Sequence, residues 1–171
     1  GWLPQTDFFG LDYTGVAGNS SLCNDDLSWV GDPEHALLED LRQTYAPEDW
    51  RPPRASNART LVVGQLMSES QVVGFTQYQT FNEFIADSID QLGTDQITVR
   101  PHPLSDDQDE VLQLCRSRGL EVSDPKEEDF VSALSKHGSV YGITSTALLE
   151  ASLLEVSAMA SGECPLLSHQ G

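Results

Sequence analysis

The feature that most constrains the fold of this chain is the alternation that begins at Thr60, where short apolar runs take turns with segments of helical spacing. Thr60–Gly64, Gln96–Arg100, Leu120–Ser123, Ser139–Ile143 and Ser157–Ala160 read as strands, and Tyr78–Leu92, Ser105–Arg118, Lys126–His137 and Ser145–Val156 as the helices between them. Strands joined by helices of this length build a parallel sheet covered on both faces. The expected fold class is therefore α/β, Rossmann-like. Gly119 and Gly138 stand where helix C-terminal glycines belong. If the five strands lie in the order 3-2-1-4-5, the connection reverses between the first and the fourth, and ligands bind in the crevice at that point.

The region before the alternation has a different texture. Short strands and turns are expected in the Gly/Asn/Ser-rich stretch near Gly15–Ser21, then a helix opened by Asp32 as N-cap and Pro33 at its first position. Leu37, Leu38, Leu41 and Tyr45 space the apolar face of that helix, which ends near Ala46–Pro47. Trp50 to Asn57 has linker composition, so the boundary is placed there, with residues 1–52 as one segment and 53–171 as the α/β domain. Gly1 in place of an initiator methionine, and an apolar run just before Gly171, suit a piece of a longer protein.

Charge excludes one class of partner. Acidic residues number 27 against nine basic ones, for a net charge of −18, whereas nucleic acids are held by clustered lysine and arginine. Acid excess with only Lys126 and Lys136 as lysines suits a protein kept soluble at high salt. Cys23, Cys115 and Cys164 are odd in number and widely spaced, which fits reduced thiols in a cytoplasmic protein better than disulfides or a zinc site. No run approaches the roughly 20 apolar residues of a membrane span, and the first residues lack the pattern of a signal peptide.

Within the alternation, the residues leaving three strands converge on the expected crevice. After the second strand, Arg100-Pro101-His102-Pro103 ends the ladder abruptly, because neither proline donates to it, and places His102 on a stiff corner. Arginine and histidine there suit an anion such as phosphate, although an exposed turn would look the same. After the fourth strand, Thr144-Ser145-Thr146 opens a helix, as a phosphate seat or as an ordinary N-cap. Glu150 lies in a mostly apolar part of that helix and needs a partner, either ribose hydroxyls, an arginine or solvent. After the first strand come Gly64, Gln65 and, at the end of the turn, Glu69, which is a site carboxylate or a solvated loop acid. Gly-x-Gly-x-x-Gly, the P-loop, Gly-x-Ser-x-Gly and His-Glu-x-x-His are all absent. His35, His137 and His169 show no metal-ligand spacing and read as surface or cap residues, so no metal and no cofactor are expected.

The ordered set Val63-Gly64-Gln65-x-x-x-Glu69-Ser70-Gln71-Val72, Val99-Arg100-Pro101-His102-Pro103 and Thr144-Ser145-x-x-x-x-Glu150-Ala151 resembles the bacterial capsule polysaccharide biosynthesis glycosyltransferases. These are relatives of the capsular Kdo transferases, enzymes of the GT-B fold, and Gly1-Trp2-Leu3-Pro4-Gln5 resembles the segment before their donor domain. The resemblance implies the C-terminal, donor-binding half of such an enzyme, preceded by the tail of its acceptor-side domain. Its donor would be a nucleotide sugar, often CMP-linked, and its acceptor a glycan or a lipid-linked glycan. The implied location is cytoplasmic, with room for peripheral association at the inner face of the membrane.

By family pattern His102 contacts the donor phosphate, Thr144 and Ser145 the phosphate or ribose, and Glu150 the nucleotide, while Gln65 lines the site; Arg100 is added as a donor-binding residue from its charge and place alone. Glu69 occupies the place of a family aspartate implicated in catalysis. Its extra methylene puts direct attack on a sugar carbon in doubt and leaves a base or electrostatic role open. Two rivals stand beside this reading: a CDP-glycerol-type phosphotransferase of teichoic-acid-like polymers, and a non-catalytic nucleotide-binding module.

Overall fold

The computed structural model describes residue 28 and residues 30–53, 59–69, 72–74 and 76–162. The readings made for residues 1–27 and 54–58, for Cys164 and for His169 lie outside the described residues. Helix α1 (Asp32–Tyr45) comes first. It is followed by β1 (Thr60–Val63), α2 (Phe81–Leu92), a 3-10 turn (Thr94–Gln96), β2 (Ile97–Arg100), α3 (Gln108–Arg118) and β3 (Glu121–Val122). The series closes with α4 (Phe130–Leu134), β4 (Ser139–Gly142), α5 (Thr146–Leu153) and β5 (Ser157–Ala160). All pairings are parallel, in the order β3-β2-β1-β4-β5. The sheet is thus the Rossmann-like one read from the alternation, with its reversal between β1 and β4.

Every residue of β1 and β2 is buried, as a central parallel strand covered on both faces requires. Successive side chains go to opposite faces. Val62 and Val99 join Phe81, Phe84 and Ile85 of α2 and Val111 and Cys115 of α3 in one core. Leu61 and Val63 join Ala133 and Leu134 of α4 and Leu148, Ala151 and Leu154 around α5 in the other. Burial pushes the Cys115 thiol up to about 11, the behaviour of a small apolar core residue.

Several local expectations are corrected. The N-cap of α1 is Gly31, so Asp32 and Pro33 hold the first two helical positions, and Glu34 reaches back to accept the Gly31 N–H at 2.9 Å. The apolar face expected for α1 buries no residue, and Leu37 and Leu38 are exposed, because the segment meets the domain only near its end. There Ala46 and Trp50 pack on the α5 side, Trp50 donates its indole N–H to the Leu154 carbonyl at 3.1 Å, and Arg42 pairs with Glu155.

Helix α4 is shorter than Lys126–His137. The Asp124 carboxylate accepts the Lys126 N–H in a turn of its own, and Asp129 caps the helix by accepting the Ser132 N–H, each at 2.8 Å. Gly119 adopts the left-handed cap that its position suggested, but Gly138 does not, since α4 already ends at Leu134 with Ser135 as its cap; Gly93, which caps α2, has a positive φ of 89° with an extended ψ. His137 is buried and not on the surface, with Nδ1 2.7 Å from the Ala133 carbonyl at the end of α4, where it acts as a cap.

Candidate functional site

At the carboxyl edge of the sheet the exits of β1 and β2 cross closely. Gly64 donates its N–H to the Arg100 carbonyl at 2.8 Å, and a Cβ on Gly64 would stand 2.5 Å from the His102 nitrogen. Glycine is the residue that fits this approach. Beyond it the chain turns through Pro101 and Pro103, and His102 is tied down at several points. Its carbonyl accepts the Ser105 N–H at 3.1 Å and the Gln108 side-chain N–H at 2.7 Å, while its Nδ1 accepts the Leu104 N–H at 3.1 Å. Burial lowers the imidazole pKa against the opposing pull of the nearby Glu69 carboxylate.

A cleft of about 370 Å³ opens here, lined by His102, Arg100, Ser145, Thr146 and Glu150 among others. Its far wall is apolar, from Pro125 and Phe130, with Asp129 beside them. Arg100 commits two N–H groups to the wall, one to the Ser123 hydroxyl at 2.8 Å and one to the Glu128 carbonyl at 2.9 Å. Burial lowers its pKa against Glu128, Asp129 and Asp124, which favour the cation, and a guanidinium so placed stays charged.

Across the cleft Ser145 caps α5, accepting the Ala147 N–H at 3.3 Å, so the positive end of the helix dipole faces the opening. Glu150, one turn further along, has no hydrogen-bond or ion-pair partner among the described residues, and burial raises its pKa. A half-buried carboxylate without a partner inside a cleft is poised to accept hydrogen bonds from a ligand.

The structure therefore brings Arg100, His102, Ser145 and Glu150 to one cleft. Gln65 and Thr144 are placed differently from the expectation that they line it. Both are buried, and they bind each other: the Gln65 amide accepts the Thr144 N–H at 3.0 Å and donates to the Thr144 hydroxyl at 3.0 Å. Together they lock the end of β1 to the turn that starts α5, which makes them a support under the cleft. Glu69 stands at the Gln65 side, its carboxylate 3.5 Å from the Gln65 side-chain nitrogen and close enough to act on His102.

The Pro125, Asp129 and Phe130 wall escaped the sequence reading. Its signal was available, since the turn after β3 leaves the same edge of the sheet as the turn after β2. Among the described residues no cluster of His, Cys, Asp and Glu could hold a metal ion, and no helix is long and apolar enough to cross a membrane.

Fold and cleft together define a doubly wound α/β domain with a cleft at its switch point. Among solved structures the chain is similar to KpsC of Thermosulfurimonas dismutans. Against its beta Kdo 2,7 transferase the TM-score is 0.59 at 22% identity, covering 85% of this chain and 47% of that one. Against its beta Kdo 2,4 transferase the TM-score is 0.62 at 19% identity, covering 90% and 54%. The chain thus spans about half the length of the structures it matches. At these identities the likeness is one of fold. No family model and no curated protein sequence matches the chain.

Proposed function

We propose that the chain is the donor-binding half of a GT-B glycosyltransferase of capsule or surface polysaccharide biosynthesis, taking a CMP-linked or similarly activated sugar. The observation that carries the reading is the meeting of His102, the α5 N-terminus and Glu150, whose carboxylate has no partner among the described residues, in one cleft at the β1/β4 reversal, in a fold shared with KpsC.

In this reading His102 and the first turn of α5 hold the donor phosphate. Glu150 accepts the ribose hydroxyls, whose hydrogen bonds offset the burial that raises its pKa. Arg100 contributes positive charge from the wall while bracing Ser123 and the turn before α4. The base lies against Pro125 and Phe130. Glu69 faces the place where sugar and acceptor meet, as a base for the acceptor hydroxyl or an electrostatic stabiliser of the transition state. Residues 1–52 belong to the acceptor side of the longer enzyme and residues 53–171 form the donor domain. The acceptor, a glycan or a lipid-linked glycan, comes from that other side, so this half alone binds donor without turning it over. The longer enzyme works in the cytoplasm, at the inner face of the membrane where lipid-linked acceptors are presented.

The test is a calorimetric screen of CMP, CDP, UDP and GDP against the chain. One nucleotide, expected to be a cytidine nucleotide, binds at a single site; no binding by any of the four overturns the reading. Product analysis with the longer enzyme then separates the chemistries. A glycosidic bond formed with release of CMP supports sugar transfer, and a phosphodiester product assigns the site to a CDP-glycerol-type phosphotransferase.

A further inference from the structure

The imidazole of His102 has its two nitrogens in different circumstances. Nδ1 accepts the main-chain N–H of Leu104 at 3.1 Å. A nitrogen that accepts a hydrogen bond carries no proton, so the proton of the neutral ring sits on Nε2. Putting a second proton on Nδ1 would set N–H against N–H. The Leu104 amide cannot easily turn aside, because the segment is pinned on both sides by Pro103 and by the Ser105 and Gln108 bonds to the His102 carbonyl.

The charged groups of the cleft and of the turn that carries the ring come from five elements. Glu69 approaches from the loop after β1 and favours the cation. Arg100, on the strand that carries the histidine, is bonded to Ser123 and to the Glu128 carbonyl. Asp129 and Glu150 share the cleft from the start of α4 and from α5, and Asp107 in the lead-in to α3 accepts the Ser105 hydroxyl. The lowered pKa agrees with the geometry, since burial outweighs Glu69.

We propose that Gly64 and the Leu104 amide are positioning elements that hold His102 as a neutral Nε2–H donor toward the cleft, so that its anion is bound by a hydrogen bond and not by a histidine cation. Gly64 belongs to the device because any side chain there would push the His102 main chain, and with it the ring, out of register with Leu104. The inference rests on the proposed nucleotide site for the identity of the anion, but not for the state of the ring. Its chemical consequence is that His102 and the α5 amides form a set of uncharged donors, with Arg100 supplying positive charge from the wall.

Long-range proton–nitrogen correlation spectra of the wild-type chain read the tautomer directly. Nε2 is expected to be protonated and Nδ1 bare, with the ring staying neutral when the pH is lowered to about 6, below the ordinary imidazole value near 6.5. The ligand probe is the methyl ester of CMP, whose phosphate keeps a single charge throughout this range. Its dissociation constant should change less than about twofold between pH 8 and pH 6.

Gly64→Ala is expected to broaden the single tautomer into a mixture and to weaken methyl-CMP about tenfold, the size of one lost hydrogen bond. A ring protonated at pH 7, or affinity that tightens tenfold on acidification in step with His102 titration, overturns the proposal. An unchanged His102 spectrum in Gly64→Ala removes Gly64 from it. Failure of methyl-CMP to bind a wild-type chain that shows the expected tautomer contradicts the nucleotide reading alone. The wild-type spectrum decides the ring state whether or not the variant folds.

Discussion

Gln65→Glu isolates the support beneath the cleft, because it keeps the size of the side chain and exchanges one buried donor for an acceptor. The Gln65 amide is 3% exposed, bonded through both its atoms to Thr144 and within 3.5 Å of the Glu69 carboxylate. A glutamate in its place still accepts the Thr144 N–H, and only its protonated form keeps a donor for the Thr144 hydroxyl. Its charge would sit buried beside Glu69, so its folded-state pKa rises well above the unfolded value of about 4.3. A group with a raised folded pKa costs nothing below the unfolded pKa and destabilises increasingly as pH rises.

If the new carboxyl stays protonated at pH 7, the penalty is about 2.7 pH units times 1.36 kcal/mol, or roughly 3.7 kcal/mol. Urea unfolding of wild type and Gln65→Glu in parallel should give a difference of about 4 kcal/mol at pH 7, shrinking to about 0.6 kcal/mol at pH 4.5. Gln65→Leu, which leaves the Thr144 N–H unsatisfied without adding a titrating group, should cost about 1 to 3 kcal/mol at both pH values. Equal stability of Gln65→Glu and wild type at pH 7 would refute the buried Gln65–Thr144 link, and with it the account of how β1 and α5 are held together.

Three further perturbations follow from the same structure. Glu150→Gln removes a carboxylate whose raised pKa makes it a liability to stability above its unfolded pKa, so the variant should melt higher at pH 7 while binding CMP more weakly; a variant less stable at pH 7 would mean that Glu150 has a structural partner. Glu155, with φ 60°, is the non-glycine residue with positive φ among the described residues, and its pair with Arg42 is solvent-exposed on the glutamate side. Relief of the left-handed conformation, worth about 1 to 2 kcal/mol, outweighs an exposed pair worth about 0 to 1 kcal/mol, so Glu155→Gly should stabilise the chain in denaturant titration. With 27 carboxylates against nine cations, the melting temperature should climb steeply from dilute buffer to molar salt, and a flat dependence would remove the high-salt reading without touching the fold.

Strand order and class were legible because the βα alternation and the rules of parallel crossover leave few topologies for five short strands. Cleft residues were legible for the same reason: topology alone puts the turns after β1, β2 and β4 at one edge. What could not be read was the direction of individual side chains at that edge. Gln65 and Thr144 turn inward to satisfy each other's buried polar groups, a choice decided by packing across strands 79 residues apart in sequence. The start of α4 was misjudged because two local amide-to-carboxylate bonds, accepted by Asp124 and Asp129, compete with the helix. The helical spacing of α1 was right and its burial was not, since an apolar face in the sequence does not say what covers it.

The central claim is that the cleft between His102 and α5 binds a nucleotide, and titration of CMP into wild type, His102→Ala and Glu69→Ala tests it most directly. A phosphate contact by His102 is made in the ground state, and a charge-assisted hydrogen bond is worth about 1.5 to 3 kcal/mol, so His102→Ala should raise the dissociation constant roughly tenfold to a hundredfold. In the proposed function Glu69 acts on the reacting sugar or acceptor, so Glu69→Ala should leave CMP affinity nearly unchanged and lower the single-turnover rate of the longer enzyme instead. CMP that binds wild type and His102→Ala equally well would place the nucleotide elsewhere and contradict the account.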